Sequence, residues 1–320
     1  MAKVVVTGKI PAGGLERLKA EHDVTAWESD VAIGRDELLR MVAGADAIVS
    51  LLTEKIDDEL LDAAGPQLQS VSNVAVGYNN IDVPACEKRG ILVTNTPGVL
   101  TEATADIAMS LILMATRRLG EGERVIRAQE PWQWGMFYML GMGLQGRQLG
   151  IVGMGQIGIA TARRAKAFGM NIAYTRRSPL EDNVVKELDA KYMSMDELIE
   201  SSDVLSLHCP YSPATHHLMS ENQFARMKKT AFLINTARGP IVHEQALVDA
   251  LKSGQIAGAG LDVFENEPAV NPGLLELDNA VLIPHLGSAT VETRAAMADI
   301  AATNALAILA GAQAPNLVTS

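Results

Sequence analysis

The sequence predicts an α/β protein made of two doubly wound parallel-sheet domains, and three observations carry that expectation. Short apolar, largely β-branched runs alternate with longer helical patterns along the chain, as parallel strands joined by crossover helices do. A glycine-rich turn, Gly153-Met154-Gly155-Gln156-Ile157-Gly158, sits between one such run and one such helix. The length of 320 residues suits two domains of about 150 residues each.

Taken in order, the first strands are expected at 4–6, 47–49, 70–74 and 91–93, where Val and Ile dominate. A helix opens at Thr101, where Thr101, Glu102 and Thr104 offer capping chemistry, and its apolar positions continue through Ile107, Leu111 and Met114. Its most apolar part, 107–115, is about half the length a bilayer requires and stops at Arg117-Arg118, so it reads as a buried helix.

Six further strands are expected at 149–152, 171–175, 204–207, 231–234, 258–261 and 281–283, enough for a full dinucleotide-binding sheet. The halves also echo each other. Ala45-Asp46-Ala47-Ile48-Val49-Ser50-Leu51 parallels Ser202-Asp203-Val204-Leu205-Ser206-Leu207, which points to two sheets of related topology. An Ala-rich closing helix, 289–309, has to return to the first domain, making it discontinuous: 1–98 with 291–320, around a cofactor-binding domain at 99–290.

Composition narrows the function. A net charge of −11, with 27 Lys and Arg scattered along the chain, argues against a nucleic-acid partner, which needs a basic face. Cys86 and Cys209 are the only cysteines, so no disulfide framework or paired-cysteine metal clamp can be drawn and a reducing compartment fits. Residues 1–9 carry no signal pattern; a cytoplasmic protein with no membrane partner is the expectation.

His208-Cys209 and His216-His217 are metal-ligand types, but their spacing matches no common finger and Pro210 with Pro213 indicates a loop, so no metal is expected. The aromatic cluster Trp132, Trp134, Phe137 and Tyr138 is open to three readings: packing, a lid, or a subunit contact.

The glycine turn carries chemistry because its context is right. Glycines allow a tight turn and close backbone approach, and the following helix N-terminus offers free N–H groups and partial positive charge to a pyrophosphate. The next strand ends Ala173-Tyr174-Thr175-Arg176-Arg177-Ser178. An NAD enzyme places an acid about 20 residues past the fingerprint, for the ribose hydroxyls. Here Thr175 and two arginines stand instead, and with Ser178 they suit a 2′-phosphate, so NADPH is expected to be used and NADH less well.

Three polar residues fall at ends of apolar strands: Arg238, Glu267 and His285, where open α/β sheets bind ligands. A guanidinium can pair with a carboxylate and polarise a neighbouring carbonyl. A histidine is the natural proton donor near neutral pH, and a carboxylate on its other ring nitrogen keeps it charged. Singly, each has an ordinary structural explanation.

Together with the glycine turn, these segments resemble the D-2-hydroxyacid dehydrogenase family, particularly its glyoxylate/hydroxypyruvate reductase branch. The resemblance spans nearly the whole chain, through Asn73-Val74-Ala75-Val76-Gly77-Tyr78-Asn79-Asn80-Ile81-Asp82, Asn95-Thr96-Pro97-Gly98-Val99-Leu100, Asn235-Thr236-Ala237-Arg238-Gly239, Gly260-Leu261-Asp262-Val263-Phe264 and Pro284-His285-Leu286-Gly287-Ser288-Ala289-Thr290.

It implies a Rossmann cofactor domain with a flavodoxin-like substrate domain, and NADPH-dependent reduction of small 2-oxo acids. In that reading Arg238, Glu267 and His285 form the family's triad. Asp262 contacts the nicotinamide amide, and the Val76-Gly77 N–H groups grip the substrate carboxylate from the other domain. Leu51 and Ser288 join the substrate site, and Thr104, Cys209, Pro210, Thr215, Thr236, Ala237 and Gly287 the cofactor site. A homodimer around the aromatic segment is also implied.

The runner-up is a 2-ketogluconate reductase, using the same triad. A reading from another class is a cofactor-sensing binding protein without turnover. A formate-type dehydrogenase fits less well, because that relative carries Gln where Glu267 stands.

Overall fold

The computed structural model describes residues 1–318 and divides the chain into two compact units, Met1–Leu100 with Ala289–Ser320, and Thr101–Ser288. Both are parallel α/β units.

In the first unit, strands β1 (Lys3–Val6), β2 (Asp23–Ala26), β3 (Ala47–Ser50), β4 (Ser70–Asn73) and β5 (Leu92–Thr94) form one sheet in the order β2-β1-β3-β4-β5. This is the flavodoxin-like doubly wound order, in which the winding reverses beside β1 and opens a crevice at the strand ends. Val4, Val6, Ala47 and Val49 point to one face and pack on the helix Val291–Leu309 through Ala298, Ala301, Ala302 and Ala305. Val5, Ile48 and Val71 pack the other face with Leu60 and Leu61. The small residues of the closing helix let it lie close to the sheet. It starts two residues later than the sequence pattern suggested, because the Thr290 side chain accepts the Thr293 N–H at 3.1 Å and caps it.

In the second unit, β6 (Gln148–Val152), β7 (Asn171–Thr175), β8 (Lys191–Tyr192), β9 (Val204–Leu207), β10 (Phe232–Asn235), β11 (Gly258–Leu261) and β12 (Ala280–Leu282) are ordered β12-β11-β10-β9-β6-β7-β8. That is the Rossmann order with one added strand. Beside β6 the winding reverses, so the turn after β6 lies where a dinucleotide binds. The helix Thr101–Thr116 covers one face, burying Met109, Leu111 and Ile112 against Leu149, Ile151 and Ile234. Its apolar stretch is core, and among the described residues no helix is long and apolar enough to cross a membrane.

Two strands depart from the expected four and six. Asp23–Ala26 and Lys191–Tyr192 are edge strands with exposed or half-buried side chains. An edge strand buries little, so it needs no apolar run to signal it.

The internal echo has a physical basis. Asp46 accepts the Lys3 N–H at 2.7 Å and Asp203 accepts the Gln148 N–H at 2.9 Å. Each aspartate returns its own N–H to the same residue's carbonyl, at 2.8 and 3.0 Å. In each unit one carboxylate thus pins the start of the first strand.

Candidate active site

The glycine turn is built by close approach. Gly153 has φ +91°, and a Cβ there would lie 2.4 Å from the Cys209 nitrogen, so glycine is required both by conformation and by space. A Cβ at Gly158 would lie 2.8 Å from the Gly153 carbonyl oxygen, whereas around Gly155 nothing lies within 4 Å. Gly155 caps the helix Gln156–Ala167, and among the described residues no side chain caps that helix. An open cradle therefore faces uncapped helix N–H groups, which fits a pyrophosphate.

Past β7 the chain turns through Arg176, Arg177 and Ser178, all exposed. Arg176 Nη1 donates to the Met154 carbonyl at 3.3 Å, placing its guanidinium on the glycine turn. The Tyr192 hydroxyl on β8 donates to the Arg176 carbonyl at 3.0 Å and holds this corner. Neither arginine has an acidic partner among the described residues, unlike the paired Arg163 and Arg164.

Three loops at the carboxyl ends of β10, β11 and β12 bring the acid–base residues together. After β10, Asn235 Oδ1 accepts the Ala237 N–H at 3.0 Å and its Nδ2 donates to the Arg238 carbonyl at 2.9 Å, fixing the backbone that carries Arg238. Arg238 Nη1 donates to the Ala237 carbonyl at 2.7 Å. Gly239 lets this loop touch the next one: a Cβ there would lie 1.8 Å from the Phe264 carbonyl oxygen.

After β11, buried Asp262 accepts the N–H groups of Leu286 and Gly287, the latter at 2.8 Å, and its carbonyl accepts the His285 N–H at 2.9 Å. Asp262 thereby holds the loop after β12. His285 is in the left-handed region, φ +50°. Its Nδ1 meets Glu267 Oε2 at 2.7 Å, and Glu267 Oε1 accepts the Phe264 N–H at 2.9 Å. This engages Nδ1 and leaves Nε2 as the ring nitrogen for proton transfer.

The charges interlock. Partial burial pushes the Glu267 carboxyl up, but the bond to His285, its charge, and Arg238 outweigh it and hold the group below the ordinary carboxylate range. Arg238 keeps some surface yet is ringed by protein, so desolvation lowers its pKa while Glu267 opposes that. Burial raises the Asp262 carboxyl, against the N–H groups of Leu286 and Gly287.

Other expected positions fall as follows. Thr104 Oγ1 donates to the Gly287 carbonyl at 3.0 Å, and Thr215 Oγ1 to the Pro210 carbonyl at 2.9 Å. The Thr236 hydroxyl is buried and has no hydrogen-bond partner among the described residues. Leu51, Val76 and Gly77 lie in the first unit, at the ends of β3 and β4.

The histidines flagged as metal-ligand types do other work. His208 bonds Ser206 Oγ at 2.8 Å, and burial pulls it down to about 4, so it stays neutral. His216 stacks on His217 at 3.8 Å between ring centroids, and His217 Nε2 meets Glu265 Oε1 at 2.6 Å. Glu265 was not anticipated. Its other oxygen accepts the Glu244 N–H at 3.2 Å, while its own N–H donates to the buried Glu244 carboxyl, so it staples the Glu267 loop to the helix Glu244–Lys252.

A Rossmann sheet with an open glycine cradle, and a His–Glu pair beside an arginine at its strand ends, together define a dinucleotide-dependent dehydrogenase. Comparison narrows the class. Residues 109–287 match the family model for the NAD-binding domain of D-isomer specific 2-hydroxyacid dehydrogenases. The chain is 48% identical over 319 residues to a glyoxylate reductase of Korarchaeum cryptofilum, covering 99% of this chain and 95% of that one.

Its fold superposes on a glyoxylate reductase from Paecilomyes thermophila with a TM-score of 0.89 at 37% identity, over 99% and 98% of the two chains. It also matches an NADPH-dependent glyoxylate/hydroxypyruvate reductase from Sinorhizobium meliloti in complex with NADP and malonate. That TM-score is 0.85 at 37% identity, over 99% and 97%. The chain belongs to the D-2-hydroxyacid dehydrogenase family.

Proposed function

We propose that the protein reduces small 2-oxo acids, glyoxylate and hydroxypyruvate, to 2-hydroxy acids with NADPH as preferred cofactor. The observation that carries this reading is the His285–Glu267 pair at 2.7 Å with Arg238 in electrostatic reach of the same carboxylate. When bound, the cofactor supplies the hydride.

His285 protonates the oxygen that gains charge, and Glu267 orients the ring. Arg238, held by Asn235, pairs with the substrate carboxylate and stabilises the developing charge. Val76, Gly77, Leu51 and Ser288 complete the substrate contacts.

Cofactor contacts are assigned to Gly153 through Gly158, Thr104, Thr175, Cys209, Pro210, Thr215, Thr236, Ala237, Asp262 and Gly287. The 2′-phosphate is assigned to Arg176, Arg177 and Ser178, supported by two arginines with no acidic partner among the described residues and by the NADP complex of the Sinorhizobium relative. A cytoplasmic homodimer accompanies this reading. Its support is the exposed segment with Trp134 at 80% and Phe137 at 88% surface exposure, large apolar area for a monomer to leave in water.

The test is NADPH oxidation against glyoxylate, hydroxypyruvate, pyruvate and 2-ketogluconate, repeated with NADH and with His285→Ala. We expect turnover of the two shortest acids, and a collapse of kcat in the variant with cofactor affinity kept. Near-normal turnover by His285→Ala removes the histidine from its role.

A further inference from the structure

Three successive peptide groups in the loop after β4 are clamped by their carbonyls. The Thr96 N–H donates to the Ala75 carbonyl at 2.9 Å, Asn95 Nδ2 to the Val76 carbonyl at 2.8 Å, and Asn73 Nδ2 to the Gly77 carbonyl at 2.9 Å. In a trans peptide the C=O and the following N–H point opposite ways. The N–H groups of Val76, Gly77 and Tyr78 are therefore turned away from these donors. None of the three meets a protein acceptor among the described residues, and their residues are half-buried or exposed.

The clamps are themselves held. Asn73, wholly buried, accepts Ser50 Oγ on its Oδ1 at 3.0 Å, and its orientation is fixed by the Gly77 carbonyl, which can only accept. Its Nδ2 also reaches Asn80 Oδ1 at 3.2 Å, and Asn80 Nδ2 donates to the Leu51 carbonyl at 3.0 Å. Asn95 is gripped at both backbone groups: its N–H donates to the Asn316 carbonyl at 3.2 Å, and its carbonyl accepts Asn304 Nδ2 at 3.1 Å. Asn304 lies on the closing helix, so chain from both ends of the sequence fixes one amide.

We propose that Asn95 and Asn73 are positioning residues, which aim the N–H groups of Gly77 and Tyr78 at the substrate carboxylate. This rests on the reduction of 2-oxo acids proposed above. Fixed N–H groups need no reorganisation when an anion arrives, and bonds to an anion are the strong ones. The asparagines touch the peptide carbonyls and not the substrate, so their effect falls on recognition of charge and not on the chemical step.

The test uses the full-length protein and two aldehydes with the same reacting carbonyl, glyoxylate and its uncharged methyl ester. For Asn95→Ala we expect kcat/KM for glyoxylate to fall about tenfold, mostly through KM, with the ester and the NADPH dissociation constant unchanged within about twofold. Asn95→Gln, which keeps an amide donor, should restore part of the discrimination. Should Asn95→Ala fail to fold by circular dichroism, Asn95→Ser is read in the same way.

An unchanged glyoxylate-to-ester ratio, or equal losses on both, overturns the proposal. His285→Ala, measured alongside, keeps the two readings apart. It should lose both substrates, and normal turnover there removes the histidine from its acid role; turnover of neither substrate by the parent protein removes the reductase reading whatever Asn95 does.

Discussion

Gly239→Ala tests whether the loops bearing Arg238 and Glu267 are held in contact for a reason. A Cβ at this position would lie 1.8 Å from the Phe264 carbonyl oxygen, 1.9 Å from its carbon and 2.4 Å from the Glu265 nitrogen. All three are backbone atoms and cannot swing aside. An ordinary carbon–oxygen contact is about 3.3 Å, so the loops must part by about 1.5 Å. The Phe264 N–H holds Glu267 Oε1, so the displacement passes straight to the residue that orients His285.

A misplacement of this size costs about 100-fold in rate, and the overpacking about 1 to 3 kcal/mol of stability. In a unit of this length that lowers Tm by about 2 to 4 °C per kcal/mol. Steady-state kinetics, calorimetry and NADPH titration separate the effects: kcat should fall about 100-fold with cofactor affinity kept. A kcat within about threefold of the parent would show the contact to be slack and the reasoning wrong.

Replacing Arg176 and Arg177 together by Ala should raise KM for NADPH by about one to two decades and barely touch NADH; equal changes for both cofactors would discard the 2′-phosphate assignment. The Asp203 carboxyl is pushed up by burial but held below its ordinary range by the Gln148 N–H and Lys228. Its folded pKa is thus below its unfolded one, so it stabilises at neutral pH and that contribution fades as pH falls through the carboxylate range. Asp203→Asn should flatten that acid limb of a denaturation-versus-pH series, and an unaltered limb would count against the clamp. Burial pushes the Cys86 and Cys209 thiols up to about 11, so iodoacetamide at pH 8 should label neither until the protein is unfolded; rapid labelling of the native protein would contradict their burial.

Much of this architecture is written locally. The strands Val204–Leu207 and Gly258–Leu261 coincide with the short runs that mark them, because central strands are buried on both faces. Asp23–Ala26 was invisible for the converse reason. At the site, Arg238, Glu267 and His285 could be picked out because each lies in the loop beyond an apolar strand and inside a segment that resembles the family. Glu265 could not, since a glutamate in a loop looks solvated until folding brings His217, 48 positions away, against it. Arg238's neighbour Gly239 likewise passes for an ordinary turn residue; its purpose shows only when the Phe264 backbone arrives.

The bond from Thr104 to the Gly287 carbonyl joins positions 183 apart at 3.0 Å. It ties the point where the chain enters the second unit to the point where it leaves. Without that, docking the last helix, Val291–Leu309, onto the early strands would close a long flexible loop at an entropic cost of about 5 kcal/mol. Once the inserted unit has formed, the polymer between the two halves of the first unit is effectively a few residues long. Ribosomal synthesis delivers that helix after all the strands, and it reaches strands whose return path the nascent chain has already shortened.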